Sequence, residues 1–238
     1  MKLDILVVAS HPDDAELGCG ATIAKHVAAG KKVGIVDLTR GELGTRGNAV
    51  TREQEALASA RILGLSVREN LGLPDGFFQN SREHQLTVVR AIRKFQPEVV
   101  LSNALFDRHP DHGRGADLVF ESCFLSGLTK VVTEADGVRQ EAWRPAALYH
   151  FIQSQMIPPD FVVDATGSWA VKMEAIRAYK SQFHDPASSE PETYISKPGF
   201  LEMIEARGIE MGHSIGVKYG EGFQTRRWVG VKSLFDIF

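Results

Sequence analysis

Two short motifs in the chain contain the residue types that bind a metal ion and activate water. Residues 11–14 read HPDD directly after an apolar run, and residues 109–112 read HPDH near the middle of the chain. In a chain of 238 residues with 8 His and 10 Pro, chance alone would give His-Pro-Asp only about 0.02 times. The two copies therefore require a chemical or a structural explanation.

The chemical explanation is a zinc site. His11, Asp14 and His112 would supply one carboxylate and two imidazole ligands, the complement of a catalytic zinc site that keeps a fourth position for water. The same donors suit Fe²⁺, cobalt or manganese, so the residue types do not fix the metal. Asp13 would lie beside the ion without binding it, where a carboxylate can act as a general base on water acidified by zinc.

The second motif leaves two residues for other roles. We expect Asp111 to hydrogen-bond His109, which would hold the imidazole ring and favour its charged form. A cationic histidine near the metal can stabilise an oxyanion or protonate a leaving amine. The two motifs together predict hydrolysis of a carbonyl compound, and an amide is the natural target.

A structural explanation competes with this chemistry. A His-Pro turn at the end of a strand can simply cap the next helix, whose dipole favours Asp13 or Asp14 near its N-terminus. Asp111 can in the same way be only an N-cap residue, for a helix that begins near Gly113. One copy of the motif fits either explanation equally, whereas two copies at equivalent strand ends favour the metal site.

The elements around the motifs predict an α/β fold with a Rossmann-like, mostly parallel sheet and helices on both faces. In the first half of the chain strands alternate with helices, the strands at 3–9, 32–38, 67–73 and 98–103 and the helices at 15–29, 51–64, 84–97 and 116–127. Sheets of this kind bind ligands at the carboxyl ends of their strands, close to the point where the strand order reverses. Both motifs occupy such strand ends.

The second half of the chain is less regular. Its predicted elements are strands at 146–152 and 160–166, a helix at 169–183, a helix near 199–207 and a closing strand around 214–219. Residues 184–199 contain three prolines and little apolar content, which predicts a long loop that could close over a substrate. Tyr194 on this loop is a candidate substrate ligand, although a lone tyrosine in such a loop is more often a surface residue. No linker divides the sequence, so we expect a single domain over residues 1–238.

The composition excludes several other classes of protein. A net charge of −3 leaves no basic surplus for binding nucleic acid. The N-terminal apolar run is too short for a signal segment and no stretch is long enough to cross a membrane, so a cytoplasmic location is expected. Cys19 and Cys123 are too few and too far apart for a disulfide framework. Residues 18–23 lack the third glycine of a dinucleotide site, and neither a P-loop nor a G-x-S-x-G motif occurs.

Five further residues are candidates for binding the substrate: Arg52, Glu42, Asn103, Arg108 and Arg144. Arg52 begins a helix after a glycine-rich loop and could bind an anionic or polar group, and Glu42 in that loop could bind sugar hydroxyls. Asn103 and Arg108 flank the second motif and are expected to line the pocket. Arg144 could reach the site or a contact between subunits. The sequence fits equally well with Arg52 and Glu42 being solvent-exposed residues that have no role in the site.

The two motifs resemble those of the LmbE-like (PIG-L) zinc-dependent N-deacetylases, and the resemblance extends over nearly the whole chain. Six further segments are less specific than the two motifs. They resemble segments of the branch that deacetylates N-acetylglucosaminyl-malate in bacillithiol biosynthesis: DLTRGELGTRG, REQEA, LGLPDGFF, RAYKSQF, EPETYIS and GVKYGEGF. The resemblance implies that His11, Asp14 and His112 bind zinc. It also implies that Asp13 is the base and that His109 is the electrostatic or acid group.

The same resemblance implies a substrate and an assembly. Arg52 matches a substrate-binding arginine of related deacetylases, Arg144 looks like an arginine beside the pocket, and Tyr194 is nearest to a tyrosine that assists the oxyanion. The substrate would be a small N-acetyl sugar conjugate, and Arg52, Arg108 and Arg144 could pair with the malate carboxylates. A homo-oligomer, a trimer or hexamer, is expected on the same basis.

Two other functions remain open from the sequence. The enzyme could deacetylate a different N-acetyl sugar, such as a chitobiose-like oligosaccharide. The chain could also be a non-catalytic module that binds a sugar or nucleotide on the same scaffold. A pure binding module has no use for a free carboxylate beside a metal ion, so the presence of Asp13 favours the enzyme.

Overall fold

The computed structural model describes residues 1–237, and most of its helices and strands lie where the sequence predicts them. In chain order they are β1 (Ile5–Ala9), α1 (Asp14–Ala28), β2 (Val33–Asp37), α2 (Ala49–Leu63), β3 (Val67–Asn70), α3 (Arg82–Phe95), β4 (Val99–Ser102), α4 (Pro110–Ser126), β5 (Glu134–Ala135), β6 (Val138–Arg139), β7 (Ala147–Phe151), β8 (Phe161–Asp164), α5 (Trp169–Arg177), α6 (Phe200–Ser214) and β9 (Gly220–Gln224). No helix within these residues combines the length and the apolar character needed to cross a membrane.

Seven of the strands form one sheet, in the order β3-β2-β1-β4-β7-β9-β8. Strands β1 to β4 and β7 pair in parallel, whereas β9 runs antiparallel to both β7 and β8. The short strands β5 and β6 form a separate hairpin. The prediction of an α/β fold with a mostly parallel sheet is therefore confirmed.

Helices cover both faces of this sheet, which explains the uninterrupted apolar run of β1. Leu6 and Val8 belong to a core cluster shared with α3 and α4, while Val7 and Ala9 belong to a second cluster shared with α1 and α5. Successive side chains of a strand point to opposite faces. A central strand buried on both faces must therefore be apolar at every position.

Strands β1 and β4 lie side by side in the sheet, with Ile5 paired to Val99 and Val8 to Ser102. After β1 the chain continues to β2 on one side, and after β4 it continues to β7 on the other. The strand order reverses between these two strands, and the loops that leave them in opposite directions open a crevice for ligands. Because residues 11–14 follow β1 and residues 109–112 follow β4, the two motifs meet at this crevice.

Helix α4 begins at Pro110, well before the predicted start at residue 116. His109 is its N-cap residue, and Pro110 lies in the first turn, where a missing N–H leaves no hydrogen bond unmade. The predicted boundary was wrong because the apolar periodicity begins only one to two turns into the helix. The second motif is thus the first turn of a helix, rigidly attached to the end of β4.

The last elements also differ from the prediction. Helix α6 continues beyond residue 207 to Ser214, and the closing strand is β9 rather than residues 214–219. A Cβ atom at Gly208 would lie 2.3 Å from the ring of Trp169, and one at Gly212 would lie 2.7 Å from the backbone of Tyr219. These glycines allow α6 to pack closely and do not end it. Helix α5, predicted to reach residue 183, ends at Arg177.

Candidate active site

The crevice between β1 and β4 opens into a cavity of about 530 Å³, a size typical of small-molecule sites. Its walls come from the loop after β2, the start of α2, the segment 192–195 and α6. The wall that α1 and α6 form is apolar: Leu17, Phe200, Met203 and Ile204. The floor carries the polar residues of the two motifs: His11, Asp13, Asp14, His109 and His112.

The carboxylate of Asp14 lies between two imidazole rings at this floor. Its Oδ2 atom is 3.3 Å from Nδ1 of His11, and its Oδ1 atom is 3.1 Å from Nε2 of His112. All three side chains are buried. The structure thus brings together the three residues that the sequence nominates as metal ligands.

The second nitrogen of each imidazole faces another carboxylate. Nε2 of His11 lies 3.1 Å from Oδ1 of Asp75 and 3.2 Å from Oδ2 of Asp111, and Nδ1 of His112 contacts Asp107. A ring nitrogen that donates to a carboxylate carries the proton, which leaves the opposite nitrogen free to bind a metal. The arrangement therefore selects Nδ1 of His11 and Nε2 of His112 as ligand atoms, beside the carboxylate of Asp14.

Two other groups of donors among the described residues are close enough to hold an ion, His11 with His109 and His112, and His11 with Asp75 and Asp111. In the second group both carboxylates have further partners: Oδ2 of Asp75 accepts the N–H of Leu43 at 2.9 Å, and Oδ2 of Asp111, the atom that faces His11, accepts the N–H of Gly76 at 2.9 Å. These carboxylates are fixed by the backbone and orient the ring of His11. Among the described residues, the side of that ring which faces Asp14 has no such backbone donors to Asp75 and Asp111, and it carries the nitrogen Nδ1.

The electrostatic surroundings favour a cation. Although burial opposes a charge on His112, Asp14 and Asp107 raise the pKa of His112 to about 9. Burial also opposes a charge on His11, yet hydrogen bonds to three carboxylates raise its pKa well above the ordinary value. The two imidazoles in turn hold the pKa of Asp14 well below its usual range despite its burial. A divalent ion can take the place of the ring protons in these negative surroundings, so the residues fit a zinc site.

Two amide side chains fix Asp14 from below. Nδ2 of Asn103 donates to Oδ2 of Asp14 at 3.0 Å, and Nε2 of Gln153 donates to Oδ1 at 2.9 Å. Asn103 also accepts from the backbone N–H of Ser10 at 2.8 Å and is fully buried. The prediction that Asn103 lines the pocket was wrong, because its buried side chain joins β4 to the residues after β1 and, through Oε1 of Gln153 at 2.9 Å, to the segment after β7.

Asp13 is held in a strained backbone conformation beside these ligands. Its φ angle of 113° lies in the region that favours glycine. Arg52 fixes it with one Nη2 nitrogen, which donates to Oδ2 of Asp13 at 3.0 Å and to the carbonyl of Pro12 at 2.9 Å. Burial raises the pKa of Asp13 to about 7, against the opposing charge of Arg52. A carboxyl group with a pKa near neutrality suits a general base.

His109 lines the cavity but does not form the predicted pair with the carboxylate of Asp111. Its Nδ1 atom accepts the backbone N–H of Asp111 at 3.3 Å, while the Asp111 carboxylate turns to His11, Gly76 and Arg114. Burial and the neighbouring imidazoles of His11 and His112 lower the pKa of His109. This lowered pKa disfavours the imidazolium form that the sequence predicts. Because Nδ1 accepts the N–H of Asp111, Nε2 is the nitrogen that carries the proton whenever the ring is neutral.

Three of the predicted substrate-binding residues reach the cavity. Arg52, Arg108 and Tyr194 line it, and the guanidinium of Arg108 lies 4.2 Å from the ring centroid of Tyr194. An arginine over an aromatic ring keeps its charge available at the edge of a site. These three side chains bring positive charge and an aromatic surface to the cavity wall, with Arg52 directly beside Asp13.

Two other candidates do not reach the cavity. Oε1 of Glu42 accepts the backbone N–H of Asp75 at 2.9 Å, so Glu42 holds a loop and does not line the site. Arg144 donates to the carbonyl of Phe124 at 2.9 Å, near the C-terminal end of α4. His109 caps the opposite end of that helix, which is about 25 Å long at its 17 residues. Arg144 therefore cannot contact a substrate bound at the metal centre of the same chain.

The sequence profile of PIG-L, described as GlcNAc-PI de-N-acetylase, matches residues 6–123, which contain both motifs. The chain is also 37% identical to a conserved protein of Thermus thermophilus, whose crystal structure has a TM-score of 0.86 over 97% of this chain and 98% of that one. The chain belongs to the PIG-L family.

Two further relatives of this PIG-L chain have assigned activities. A diacetylchitobiose deacetylase of Thermococcus kodakarensis is 28% identical over 92% of this chain and 82% of its own length. A 4-oxalmesaconate hydratase of Pseudomonas putida is 27% identical over 92% of this chain and 88% of its own length. Deacetylation by hydrolysis and hydration are both reactions that consume water.

Three residues of the PIG-L site were not predicted from the sequence: Asp75, Asp107 and Gln153. Asp107 lies in the loop after β4, five residues before the imidazole that it orients, and Asp75 lies in the quoted block LGLPDGFF. The only feature of the sequence that could have indicated a role for Asp75 and Asp107 is that both are acidic. Gln153 follows β7 and gives no signal at all, because an amide after a strand is common in loops.

Replacing Asp107 by asparagine is expected to weaken zinc binding by about 10- to 100-fold, because an amide holds the ring of His112 less firmly and lowers its basicity. The affinity is measured by competition with a chelator, with zinc content as a second readout. Glu121→Gln, which alters an exposed carboxylate on α4, the helix that carries His112, is the matched control. Equal zinc affinities in Asp107→Asn and the unaltered protein would contradict the assigned role.

Proposed function

We propose that this chain is a zinc-dependent hydrolase that removes the acetyl group from the amide of an N-acetylglucosamine conjugate. The observation that carries the proposal is the position of Asp13, fixed by Arg52 beside two oriented imidazoles and Asp14. A site of this kind in a PIG-L chain contains a set of metal donors and a separate base. Fe²⁺ can occupy the same donors.

The ion would be held by His11, Asp14 and His112, where it would polarise the acetamide carbonyl and acidify water. Asp13 accepts a proton from the attacking water as the new C–O bond forms at the amide carbon. The same carboxyl group then delivers that proton to the sugar nitrogen as the C–N bond breaks. Acetate and the free amine are the products.

His109 stabilises the developing negative charge on the amide oxygen. Because Nδ1 accepts from the N–H of Asp111, the neutral ring presents an N–H at Nε2. The ring lies at the N-terminus of α4, where the partial positive charge of the helix dipole disfavours a charged imidazolium. A fixed neutral donor in a water-poor cavity serves as an oxyanion hole.

The proposed substrate is N-acetylglucosaminyl-malate, which places the activity in bacillithiol biosynthesis. Its two carboxylates need cationic partners, and Arg52 and Arg108 both line the cavity. Arg144 lies too far from the cavity to pair with a malate carboxylate. A second candidate substrate is diacetylchitobiose. It is supported by the similarity of this chain, over most of its length, to the diacetylchitobiose deacetylase of Thermococcus kodakarensis.

Asp13→Asn is expected to reduce acetate release by about 10²- to 10⁴-fold, because the general base is lost. Zinc content should not change, since Asp13 is not a ligand. Asp14→Asn is the matched variant at the neighbouring position, and it should lose zinc and activity together. Acetate release by metal-free protein, or full activity in Asp13→Asn, would refute the proposed mechanism, and a non-catalytic sugar-binding module would show binding without any acetate release.

Arg52→Gln is expected to move the acidic limb of kcat/KM to higher pH. The charge of Arg52 lowers the pKa of Asp13, so its removal raises that pKa, and a higher pH is then needed to deprotonate the base. The pH profiles of the variant and of Arg61→Gln, an exposed arginine of the same helix, are compared. A limb that stays in place, or moves to lower pH, would contradict the assignment of Asp13 as base.

The substrate is tested by acetate release from N-acetylglucosaminyl-malate, diacetylchitobiose and free N-acetylglucosamine. The malate glycoside is expected to have the highest kcat/KM. Arg108→Gln should reduce kcat/KM for the malate glycoside by about 10- to 100-fold, the usual loss of one charge-assisted hydrogen bond, and barely affect the neutral sugars. A higher kcat/KM for diacetylchitobiose would establish the second candidate instead.

A further inference from the structure

Residues 225–237, here called the arm, leave the sheet after β9 and expose nearly all of their apolar side chains. Trp228 is 97% exposed, Leu234 84% and Phe235 98%. Isolated apolar residues on a surface are ordinary, but a contiguous segment of this kind marks an interaction site.

The arm is anchored only at its root. The backbone N–H of Thr225 donates to Asp160 at 2.7 Å, Arg226 pairs with Asp117, and Arg227 donates to the carbonyl of Ala146. From Trp228 onwards, the hydrogen bonds of the described residues all lie within the arm itself. The apolar side chains of the arm are therefore not packed against the rest of the same chain.

The outer part of the arm nevertheless has a defined shape. Residues 234–236 form a short helical turn, and Ser233 and Asp236 cap each other's backbone N–H groups at its start. This capping box is a local device that fixes the turn without help from the rest of the chain. Leu234 and Phe235 are thus presented on a small preformed unit, which lowers the entropic cost of binding.

An aromatic face on α4, formed by Phe120 and Phe124, lies next to the root of the arm. These residues are 42% and 55% exposed and are neighbours one turn apart on the helix. The guanidinium of Arg226 lies 4.5 Å from the ring centroid of Phe120, and that of Arg144 lies 4.5 Å from the ring centroid of Phe124. Each ring is thus partly covered by an arginine and open on the side that faces solvent.

We propose that the arm of one chain docks on the aromatic face of α4 in a second copy of the same chain. The arm and the face are adjacent on one molecule, so a two-fold axis near Arg226 lets both copies exchange arms in the same way. The ten residues from Trp228 to Ile237 can reach about 33 Å when extended. Arg144 then contributes to the contact between subunits rather than to the substrate site.

The interface area fits a stable complex. Two aromatic side chains such as Trp228 and Phe235 remove about 400 Å² from water. When both arms are exchanged, the arms together bury about 800 Å². The half-exposed rings of Phe120 and Phe124 on the two receiving faces add about 400 Å². The total of about 1,200 Å² reaches the lower end of specific interfaces.

The charge pattern favours a protein surface over a lipid surface as the partner. Arg226 and Arg227 are engaged at the root by Asp117 and the carbonyl of Ala146. The outer part of the arm contains one cation and one anion, Lys232 and Asp236, so it has no excess positive charge for anionic headgroups.

The association is tested by sedimentation velocity on the full chain. The unaltered protein should sediment as an oligomer, and the double variant Trp228→Ser/Phe235→Ser should weaken self-association by at least about 30-fold, as expected for the loss of aromatic hot spots. Ile209→Ser, an exposed apolar residue of α6 away from the arm, is the control and should leave the oligomer intact. Circular dichroism and zinc content check that each variant is folded. A monomeric unaltered protein, or an oligomer that the double variant does not weaken, would overturn the proposal.

A second measurement identifies the receiving surface. One tagged chain carries Phe235→Cys and another carries Phe124→Cys, and the mixture is oxidised; the native Cys19 and Cys123 are buried. A disulfide that joins the two differently tagged chains is expected. Trp228 should also be protected from acrylamide, judged by the fluorescence difference between the unaltered protein and Trp228→Phe. The absence of any disulfide between the two differently tagged chains, or a fully quenched Trp228, would contradict docking on a second copy.

Discussion

The carboxylate of Asp14 is the interaction on which the rest of the site depends. This side chain accepts hydrogen bonds from Asn103 and Gln153, and it lies 3.3 Å from Nδ1 of His11 and 3.1 Å from Nε2 of His112. Buried charge of this kind is stable only when every oxygen has a partner. The loops after β1, β4 and β7 are therefore held together by one anion, and the same anion attracts a cation.

The position of Asp14 is itself a consequence of how α1 is attached to the sheet. Glu16, one turn into that helix, is fully buried and accepts from Ser59 at 2.7 Å, from Tyr179 at 2.9 Å and from Arg68. Arg68 in turn donates twice to Asp37 at the end of β2. This network fixes the first turn of α1 against its neighbours. The contacts on several sides stabilise the strained backbone conformation of Asp13, which would otherwise relax.

Separate carboxylates have separate tasks around the two imidazoles. Asp75, Asp107 and Asp111 contact the outer nitrogens of the rings, Asp14 lies between the two rings, and Asp13 is paired with Arg52. The division follows from environment and not from residue type, since burial raises the pKa of Asp13 while the two imidazoles lower that of Asp14. Adjacent aspartates can therefore act as base and as ligand.

The sequence determined the parallel sheet and the meeting of the two motifs, because apolar runs buried on both faces define central strands and catalytic loops follow their carboxyl ends. His11, Asp13, Asp14 and His112 could be nominated because their donor chemistry is local to each motif. The choice of carboxylate for each ring depends on the folded chain: the carboxylate of Asp111 lies against His11 and not against His109. In the same way Asn103 is buried, and Arg144 is separated from the cavity by the length of α4. Hydrogen-bond partners from loops distant in the chain depend on directions and distances that residue spacing does not contain.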